Sequence, residues 1–430
     1  MTLVLANARL VDPEADAVRP GAVVMADDGT IAEIRADAPA GLPVFDCGGR
    51  HLGPGLVDVG VKTGEPGERH KESFRTAGEA AAAGGVTTIV ARPDTEPAVD
   101  TPEALEYLRR RAAEASPVRV LATAALTCGR QGREMTEIGF LMDAGAVAFT
   151  DARPFANPRV LSRCLAYASG LGALVIGHPQ EAALTEGACM TSGQFASQLG
   201  LPGVSPLAER MGLERDLALV EATGARYHAD QITTAAGLAV LARARAAGLK
   251  VTAGTSVHHL TLNLLDVGAY RTFFKLEPPL RAEEDRQAVV AALADGLIDV
   301  IGSFHTPQDE DAKRLPFEEA AAGAVGLETL LPAALQLYHA GDVSLPALWR
   351  ALSLNPARLV GLDAGRLAPG RPADLVLFDP DRPFVLDRAT LRSKSKNTPY
   401  DGRRMQGRVL ATWVGGRRVF AADAATGAAR

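Results

Sequence analysis

Both ends of the chain carry short apolar runs that are separated by polar turns. Near the N-terminus the runs lie at 3–5, 22–25 and 31–34, with a turn signal at 27–29. Similar runs return near the C-terminus at 373–378, 409–414 and 417–420. Short apolar runs bounded by turn residues are typical of β-hairpins. The pattern therefore predicts one small β-sandwich domain built from both termini, residues 1–52 plus 363–430.

Residues 53–362 follow a different pattern, in which strand-like runs alternate with Ala-rich helical stretches. The strand-like runs lie at 87–91, 118–121, 146–150, 174–177, 249–252 and 298–301. The helical stretches lie at 73–84, 102–115, 158–171, 234–247, 284–295 and 317–338. Repeated alternation of this kind predicts an α/β protein with a (β/α)8 TIM-type barrel.

Composition narrows the class of protein without identifying a function. The 430 residues are 47% hydrophobic and 22% charged, which is typical of a globular protein with a large core. A net charge of −6 gives no indication of nucleic-acid binding. The sequence has no apolar run of about 18 residues, the length that a membrane span needs. We also expect no signal peptide. Scattered cysteines predict reduced thiols in a cytoplasmic protein; they are Cys47, Cys128, Cys164 and Cys189.

A set of ordered motifs runs through the chain from the first barrel strand to the C-terminal β-region. They are Gly-Pro-Gly-Leu-Val-Asp-Val at 53–59, Glu-Pro-Gly at 65–67, His-Lys-Glu at 70–72, Ala-Ala-Ala-Gly-Gly-Val-Thr-Thr at 81–88, His-His-Leu at 258–260, Pro-Pro-Leu-Arg at 278–281, Leu-Pro-Phe-Glu at 315–318, Gly-Leu-Glu-Thr at 326–329, Gly-Arg-Pro-Ala-Asp-Leu at 370–375 and Ser-Lys-Asn-Thr-Pro-Tyr at 395–400. With these motifs the chain resembles dihydroorotases, of the amidohydrolase superfamily, over nearly its whole length.

The resemblance implies a zinc enzyme that interconverts carbamoyl aspartate and dihydroorotate in pyrimidine synthesis. Such chemistry needs a metal-activated water near neutral pH, because a dication lowers the pKa of bound water. It also needs a carboxylate that carries the proton.

The first barrel strand departs from the pattern that the resemblance implies. A His-x-His pair is expected at positions 60 and 62, where both side chains would face one metal ion. The chain has Gly60, which has no side chain, and Lys62, whose ammonium repels a dication. Gly64 stands where an arginine should bind the substrate carboxylate in bidentate fashion.

Later family positions depart in the same way. Asp94 and Glu277 replace asparagines, Gln231 replaces a histidine ligand, and Phe304 stands where the proton-carrying aspartate should be. Asp151 and His178 match metal-ligand positions and remain. Because catalytic zinc generally has three protein ligands, two are too few, and no metal or other cofactor is expected.

Lys62 has two interpretations. Its ammonium either replaces the missing metal and neutralises Asp151 and Glu277, or lies solvated at the barrel mouth. The histidines at 258, 259 and 305 are interpreted as hydrogen-bonded structural residues. The basic stretches at 392–396 and 403–404 are either a partner surface or solvated charge.

We therefore expect a non-catalytic dihydroorotase-like protein of pyrimidine biosynthesis. The resemblance implies a structural subunit for aspartate transcarbamoylase, hence an oligomer, with no nucleic-acid or membrane partner. The alternative is an active dihydroorotase or another cyclic-amide hydrolase with a remodelled zinc site. A ligand-binding regulator is a third possibility.

Overall fold

The computed structural model describes residues 2–422. Over this range the strands are β1 Leu3–Asp12, β2 Ala17–Met25, β3 Ile31–Arg35, β4 Val44–Asp46, β5 His51–Pro54, β6 Leu56–Val61, β7 Val86–Ala91, β8 Arg119–Ala122, β9 Leu174–Gly177, β10 Met190–Thr191, β11 Gly203–Val204, β12 Arg226–Ala229, β13 Val251–Ser256, β14 Val300–Gly302, β15 Leu375–Val385, β16 Arg404–Val414 and β17 Arg417–Ala421.

The α-helices of the same range are α1 Phe74–Ala83, α2 Pro102–Ala115, α3 Ile138–Asp143, α4 Pro158–Leu171, α5 Ala182–Thr185, α6 Gln194–Leu199, α7 Leu207–Thr223, α8 Ala235–Ala246, α9 Val257–Thr261, α10 Glu283–Ala294, α11 Glu310–Arg314, α12 Leu330–Ala340, α13 Leu345–Trp349 and α14 Asn355–Leu359. In the part of the chain that the structure describes, none of them has the length and apolarity of a membrane span.

The central strands form the barrel as two parallel sheets, ordered β6-β7-β8 and β14-β13-β12-β9. Phe149 joins them on one side through single bridges to Ala124 and Val175. On the other side the Lys62 amide donates to the His305 carbonyl at 2.9 Å. The predicted (β/α)8 barrel is therefore confirmed, although the strand predicted at 146–150 is reduced to the bridges at Phe149.

The two chain termini share one eight-stranded sheet, ordered β17-β16-β15-β5-β1-β2-β3, with β4 paired to β1. One apolar cluster within it joins Leu5 and Leu10 from the N-terminal part to Trp413 from the C-terminal part. The expected boundary between residues 52 and 53 falls inside β5, because β5 pairs with both β1 and β15.

Local sequence explains several of the helix boundaries. Ser73 caps α1 with a capping box, and Thr101 caps α2 ahead of a proline at the first helical position. The helix predicted at 317–338 is wrong in its first half, since α12 begins at residue 330. Residues before it are held in a loop instead, where Ala324 forms a bridge with His305 and Gly323 adopts a φ of +117°.

Candidate site at the C-terminal end of the barrel

All predicted site residues lie at or beyond the C-terminal ends of barrel strands, where barrel enzymes carry their active sites. Gly60 lies in β6, Lys62 and Gly64 follow it, Asp94 follows β7, Asp151 follows the Phe149 bridge, His178 follows β9, Gln231 follows β12, Glu277 lies in the connection after β13, and Phe304 follows β14.

The Phe304 ring fills the space between two glycines on neighbouring strands. A Cβ built on Gly60 would lie 3.1 Å from Phe304 Cε1, and one built on Gly302 would lie 3.0 Å from Phe304 Cε2. Contacts this close are tighter than ordinary carbon–carbon contacts, so a side chain at either position would push the ring by a few tenths of an ångström. Gly60 has a φ of +91° and Phe304 a φ of +45°, both in the left-handed region. The sequence shows Gly60 and Phe304 at their two positions, but it does not show that the Phe304 ring occupies the space beside Gly60.

Lys62 belongs to a compact cluster of charges beside this ring. Its ammonium lies 2.6 Å from Glu68 Oε2 and 3.8 Å from Asp94 Oδ2. Asp94 also accepts two hydrogen bonds from Arg92, at 3.0 and 2.6 Å. Although burial alone would raise it, Arg92 and Lys62 together hold the pKa of Asp94 below its usual value. Lys71 also pairs with Glu68, at 2.6 Å, so three cations meet two acids in this cluster, which leaves no net negative charge for a dication to neutralise.

The expected ion pairs of Lys62 with Asp151 or Glu277 are wrong. Glu68 and Asp94 lie closer because the loop after β6 folds back on itself, with the Glu68 amide donating to the Gly64 carbonyl at 2.7 Å. Glu277 is exposed, so water solvates its carboxylate.

Asp151 is buried and is held by backbone and side-chain donors. The amides of Leu126 and Thr127 each donate to Oδ1 at 3.0 Å, and the Thr127 hydroxyl donates to Oδ2 at 2.6 Å. Burial raises the pKa of the Asp151 carboxyl above its usual value, although these hydrogen bonds act to lower it. Both oxygens therefore have partners within the fold, which explains how the carboxylate persists without Lys62.

His178 pairs with an acid that sequence reasoning missed. Its Nδ1 lies 3.1 Å from Asp230 Oδ1. Burial acts to lower the pKa of His178, but Asp230 outweighs it and the net pKa is raised. The neighbouring Gln231 contacts only the Glu277 backbone carbonyl weakly, at 3.5 Å.

The loop at position 64 has no room for an arginine. Gly64 has a φ of +67°, and a Cβ there would lie 2.7 Å from the Glu72 carbonyl oxygen and 3.0 Å from that of Glu68. Any larger side chain would require this loop to move. The backbone path of this loop therefore leaves no room for the arginine that the resemblance implies at position 64.

The three structural histidines have partners inside the fold. His305 Nδ1 accepts from the Gly326 amide at 3.2 Å, which leaves its Nε2 proton facing Glu72 at 3.4 Å. His258 Nδ1 lies 3.3 Å from the Tyr400 hydroxyl, and His259 Nε2 lies 3.1 Å from the Pro278 carbonyl. Burial lowers the pKa of His258 to about 4 and that of His259 to about 3, so both are neutral at pH 7.

Little space remains at the centre of the barrel. A cavity of about 20 Å³ lies among Gly60, Arg92, His228, Asp230 and Phe304. Since one water needs about 10–15 Å³ measured this way, the cavity holds about one water. A larger cavity of about 290 Å³ lies to one side, between His178, Gln180, Lys275 and Glu277.

The side chains present do not fit the zinc that the resemblance implies. Within residues 2–422, no three His, Cys, Asp or Glu side chains converge where a metal ion could bind. Two of the former ligand positions, Asp151 and His178, remain, but each is hydrogen-bonded to a protein group.

Comparison with known proteins then identifies the family. A family model described as Dihydro-orotase-like matches residues 49–236. The chain is 38% identical over 430 residues to a dihydroorotase of Anaplasma phagocytophilum, covering 98% of this chain and 96% of that one. It is 39% identical over 386 residues to a dihydroorotase of Desulforapulum autotrophicum, covering 90% of each. The chain belongs to the dihydroorotase family.

Solved structures agree with the architecture of this dihydroorotase-family chain. The L-hydantoinase (dihydropyrimidinase) of Arthrobacter aurescens superposes with a TM-score of 0.87 at 25% identity, over 97% of this chain and 95% of that one. The dihydropyrimidinase of Brevibacillus agri gives 0.85 at 21% identity, over 98% and 95%. The second likeness shows the fold alone.

Within the family framework, Arg92, Asp230 and Glu68 are site residues that the motifs did not reveal. Arg92 carried a signal, because it directly follows a buried strand and lies two residues before an acid. Side chains two apart on an extended segment face the same side, so the Arg92–Asp94 pair was within reach of the sequence. Glu68 and Asp230 carried no comparable signal.

Proposed function

We propose that this dihydroorotase-family protein is non-catalytic and acts in pyrimidine biosynthesis as a structural subunit for aspartate transcarbamoylase. The observation that carries the first half is the Phe304 ring between Gly60 and Gly302. At position 304 the family resemblance implies a proton-carrying aspartate, and at position 60 a metal ligand. A phenyl ring supplies neither, and it occupies the space that a ligand side chain at position 60 would need.

Charge supports the same proposal. A dication beside Lys62 and Arg92 would meet two cations that are already paired with Glu68 and Asp94. Binding it would require those ion pairs to break in a partly buried site, where an uncompensated charge is costly.

The loss of acid–base chemistry supports it independently of the metal. Removing a general acid or base alone typically lowers the rate by about 10²–10⁴-fold. The resemblance makes a metal-activated water the nucleophile, and within residues 2–422 no three His, Cys, Asp or Glu side chains converge to hold that metal. The residual cavity beside Phe304, about 20 Å³, has no room for an organic substrate, and Phe304 does not line the larger cavity of about 290 Å³ beside His178 and Glu277.

The partner half of the proposal rests on the resemblance and on the retained scaffold. Arg281 from the Pro-Pro-Leu-Arg motif is buried, and it donates to Thr233 at 2.9 Å and to Thr191 at 3.3 Å. A chain that keeps such internal packing while its centre changes is most simply explained by a function of its surface. An obligate contact of this kind should bury at least about 1,000 Å² in total.

A second candidate is an active dihydroorotase, and the names of the relatives favour it. Proteins 37–39% identical over most of their length are named dihydroorotase. This function would need metal ligands at positions other than 60, 62 and 231. It would also need a residue other than Phe304 to carry the proton.

Metal content and turnover distinguish the two candidates. We expect purified protein to carry no stoichiometric zinc by elemental mass spectrometry, and to turn over neither dihydroorotate nor carbamoyl aspartate. Phe304→Asp alone should not rescue activity, because positions 60, 62 and 231 still lack the histidines that the resemblance implies. Steady turnover that a chelator abolishes would establish the second candidate instead.

Assembly tests the partner separately. Size-exclusion chromatography with light scattering should be run on this chain, on the transcarbamoylase of the same organism, and on their mixture. We expect the mixture to give a larger species in which the transcarbamoylase gains stability or activity. Independent elution at low and physiological salt, with unchanged transcarbamoylase activity, would reject the subunit role.

A further inference from the structure

A surface groove that shares no lining residue with the cavity at the barrel centre carries unpaired positive charge. It has a volume of about 460 Å³ and lies between residues 271–274, helix α11 and residues 388–401. We call it the Lys313 groove and define it by its principal lining residues, Arg271, Phe273, Lys313, Arg314, Arg388 and Asp401. None of them belongs to the site described above.

Lys313 is a buried amine with no acidic partner. The residue is 3% exposed, and its ammonium donates to the Thr272 backbone carbonyl at 3.0 Å. Over the described residues 2–422, no carboxylate lies within ion-pair distance of it. Burial lowers the pKa of Lys313 to about 7, and the charge of Lys275 acts in the same direction. A buried ammonium without a counter-charge is normally avoided.

Arg271 is a second cation in the groove without an acidic partner. It donates to the Asp266 backbone carbonyl, and its guanidinium lies 4.3 Å from the centre of the Phe274 ring. The other two guanidinium groups are paired: Arg314 with Glu310 at 3.0 Å, and Arg388 with Asp401 at 3.4 Å. Arg271 therefore keeps its positive charge without an acidic partner, and Lys313, whose pKa is about 7, adds a partial positive charge at pH 7.

The walls of the groove indicate an organic ligand. Phe273, Phe274 and Pro399 contribute apolar surface, and Arg388 lies 5.2 Å from the Phe273 ring centre. An inorganic anion gains nothing from apolar walls, whereas an organic acid contacts them with its body. The volume lies within the range of small-molecule sites, about 300–1,000 Å³.

We propose that the Lys313 groove binds a carboxylate, which Lys313 and Arg271 receive while the phenylalanine wall contacts the rest of the ligand. The carboxylate comes either from a free organic acid or from an Asp or Glu side chain of a partner protein. The site does not depend on whether the barrel centre is catalytic. Charge-assisted hydrogen bonds to a buried ammonium are among the stronger polar contacts in proteins.

Two probes separate the two sources of the carboxylate. Isothermal titration calorimetry of the full chain should be run with benzoate and with a hexaglutamate peptide. Binding of benzoate indicates a free organic acid, and binding of the peptide alone indicates a partner side chain. If neither probe binds at millimolar concentration, the proposal is wrong.

Matched variants locate the binding. Lys313→Met keeps the side-chain length and removes the charge, and it should weaken binding about 10–100-fold, the range for one lost charge-assisted hydrogen bond. Lys250→Met removes an exposed lysine elsewhere and should leave binding unchanged. Equal binding by Lys313→Met and the native chain would overturn the proposal. If Lys313→Met does not fold, Arg271→Gln gives the same test on the second cation.

Chemical labelling gives an independent readout. Phenylglyoxal should modify the exposed Arg271 in the free protein, and saturating probe should protect this arginine but not the exposed Arg110 outside the groove, as peptide mass spectrometry would report. Protection of both arginines alike, or of neither, would mean that the probe does not occupy the groove.

Discussion

Adding a single methyl group at position 60 tests whether the Phe304 ring fills the former ligand position. Gly60→Ala places a Cβ 3.1 Å from Phe304 Cε1 and 3.3 Å from Cδ1. Real Cβ atoms rarely come this close, so the ring must shift. Two strand glycines flank that ring, and its own backbone already has a φ of +45°, which leaves little freedom to move.

The expected destabilisation has two parts. An alanine at a φ of +91° carries a backbone cost of about 1–2 kcal/mol. Overpacking against the ring adds about 1–3 kcal/mol. Gly60→Ala should therefore lower the free energy of unfolding by about 2–5 kcal/mol. Phe304→Ala opens space, so in that background only the backbone part should remain.

A double-mutant cycle separates these parts. Urea denaturation of the native chain, Gly60→Ala, Phe304→Ala and the double variant should give a coupling energy of about 1–3 kcal/mol. Gly41→Ala is the matched control, because Gly41 has a φ of +85° but no atom within 4 Å of its built Cβ. That control should show the backbone cost and no coupling to position 304.

Additive effects would refute the reasoning. If the Gly60 and Phe304 substitutions sum to within about 0.5 kcal/mol, the ring does not depend on the missing side chain. The charge cluster alone would then account for the lost ligand site. A coupling as large for Gly41→Ala would mean that the cycle reports a global change instead.

Three further predictions concern buried charges. Arg92→Met should destabilise the protein by about 3–5 kcal/mol in urea denaturation, because it leaves the Asp94 carboxylate buried beside a weaker partner at 3.8 Å. Since the folded pKa of Asp94 is lowered, its ionised form stabilises the fold above the unfolded pKa of about 3.9, and that stability is lost as pH falls through the folded value. When urea midpoints are measured as a function of pH, Asp94→Asn should therefore lose less stability at acidic pH than the native chain does. Lys313→Met should raise stability at pH 7, because the folded pKa of about 7 lies below the usual 10.5. Its advantage should shrink between about pH 7 and pH 10, by on the order of 1 kcal/mol per pH unit, since the unfolded native chain binds more protons there; a constant difference would contradict this.

Periodicity predicted most of the fold because strands and helices alternate in a barrel by a local rule. Helices with strong caps, such as α2 and α4, begin and end where the sequence indicated. The predictions of a strand at 146–150 and of a helix at 317–329 did not hold, because tertiary contacts determine the structure of both segments. Phe149 forms single bridges to Ala124 and to Val175, and Ala324 forms a bridge with His305.

The candidate site was predictable in position but not in its contacts. Strand ends fixed where each side chain would lie, since parallel strands bring their C-terminal ends together. The partner of Lys62 depended on the fold of the loop that carries Glu68, which no local pattern encodes. Asp151 likewise finds its donors in a neighbouring loop, and the charge of Arg130 in the same loop also acts to lower the Asp151 pKa.

The altered positions at the barrel centre constrain one another, and this bears on how the family's chemistry would be regained. A histidine at position 60 meets the Phe304 ring, so it requires that ring to be replaced first. An aspartate at position 304 without a metal would be a partly buried carboxylate beside cations already paired with Glu68 and Asp94. A histidine at position 62 would leave those two acids without one of their cations. Each of these three single exchanges therefore costs stability, so we expect a zinc site of the kind that the resemblance implies to need a combined exchange at 60, 62, 231 and 304.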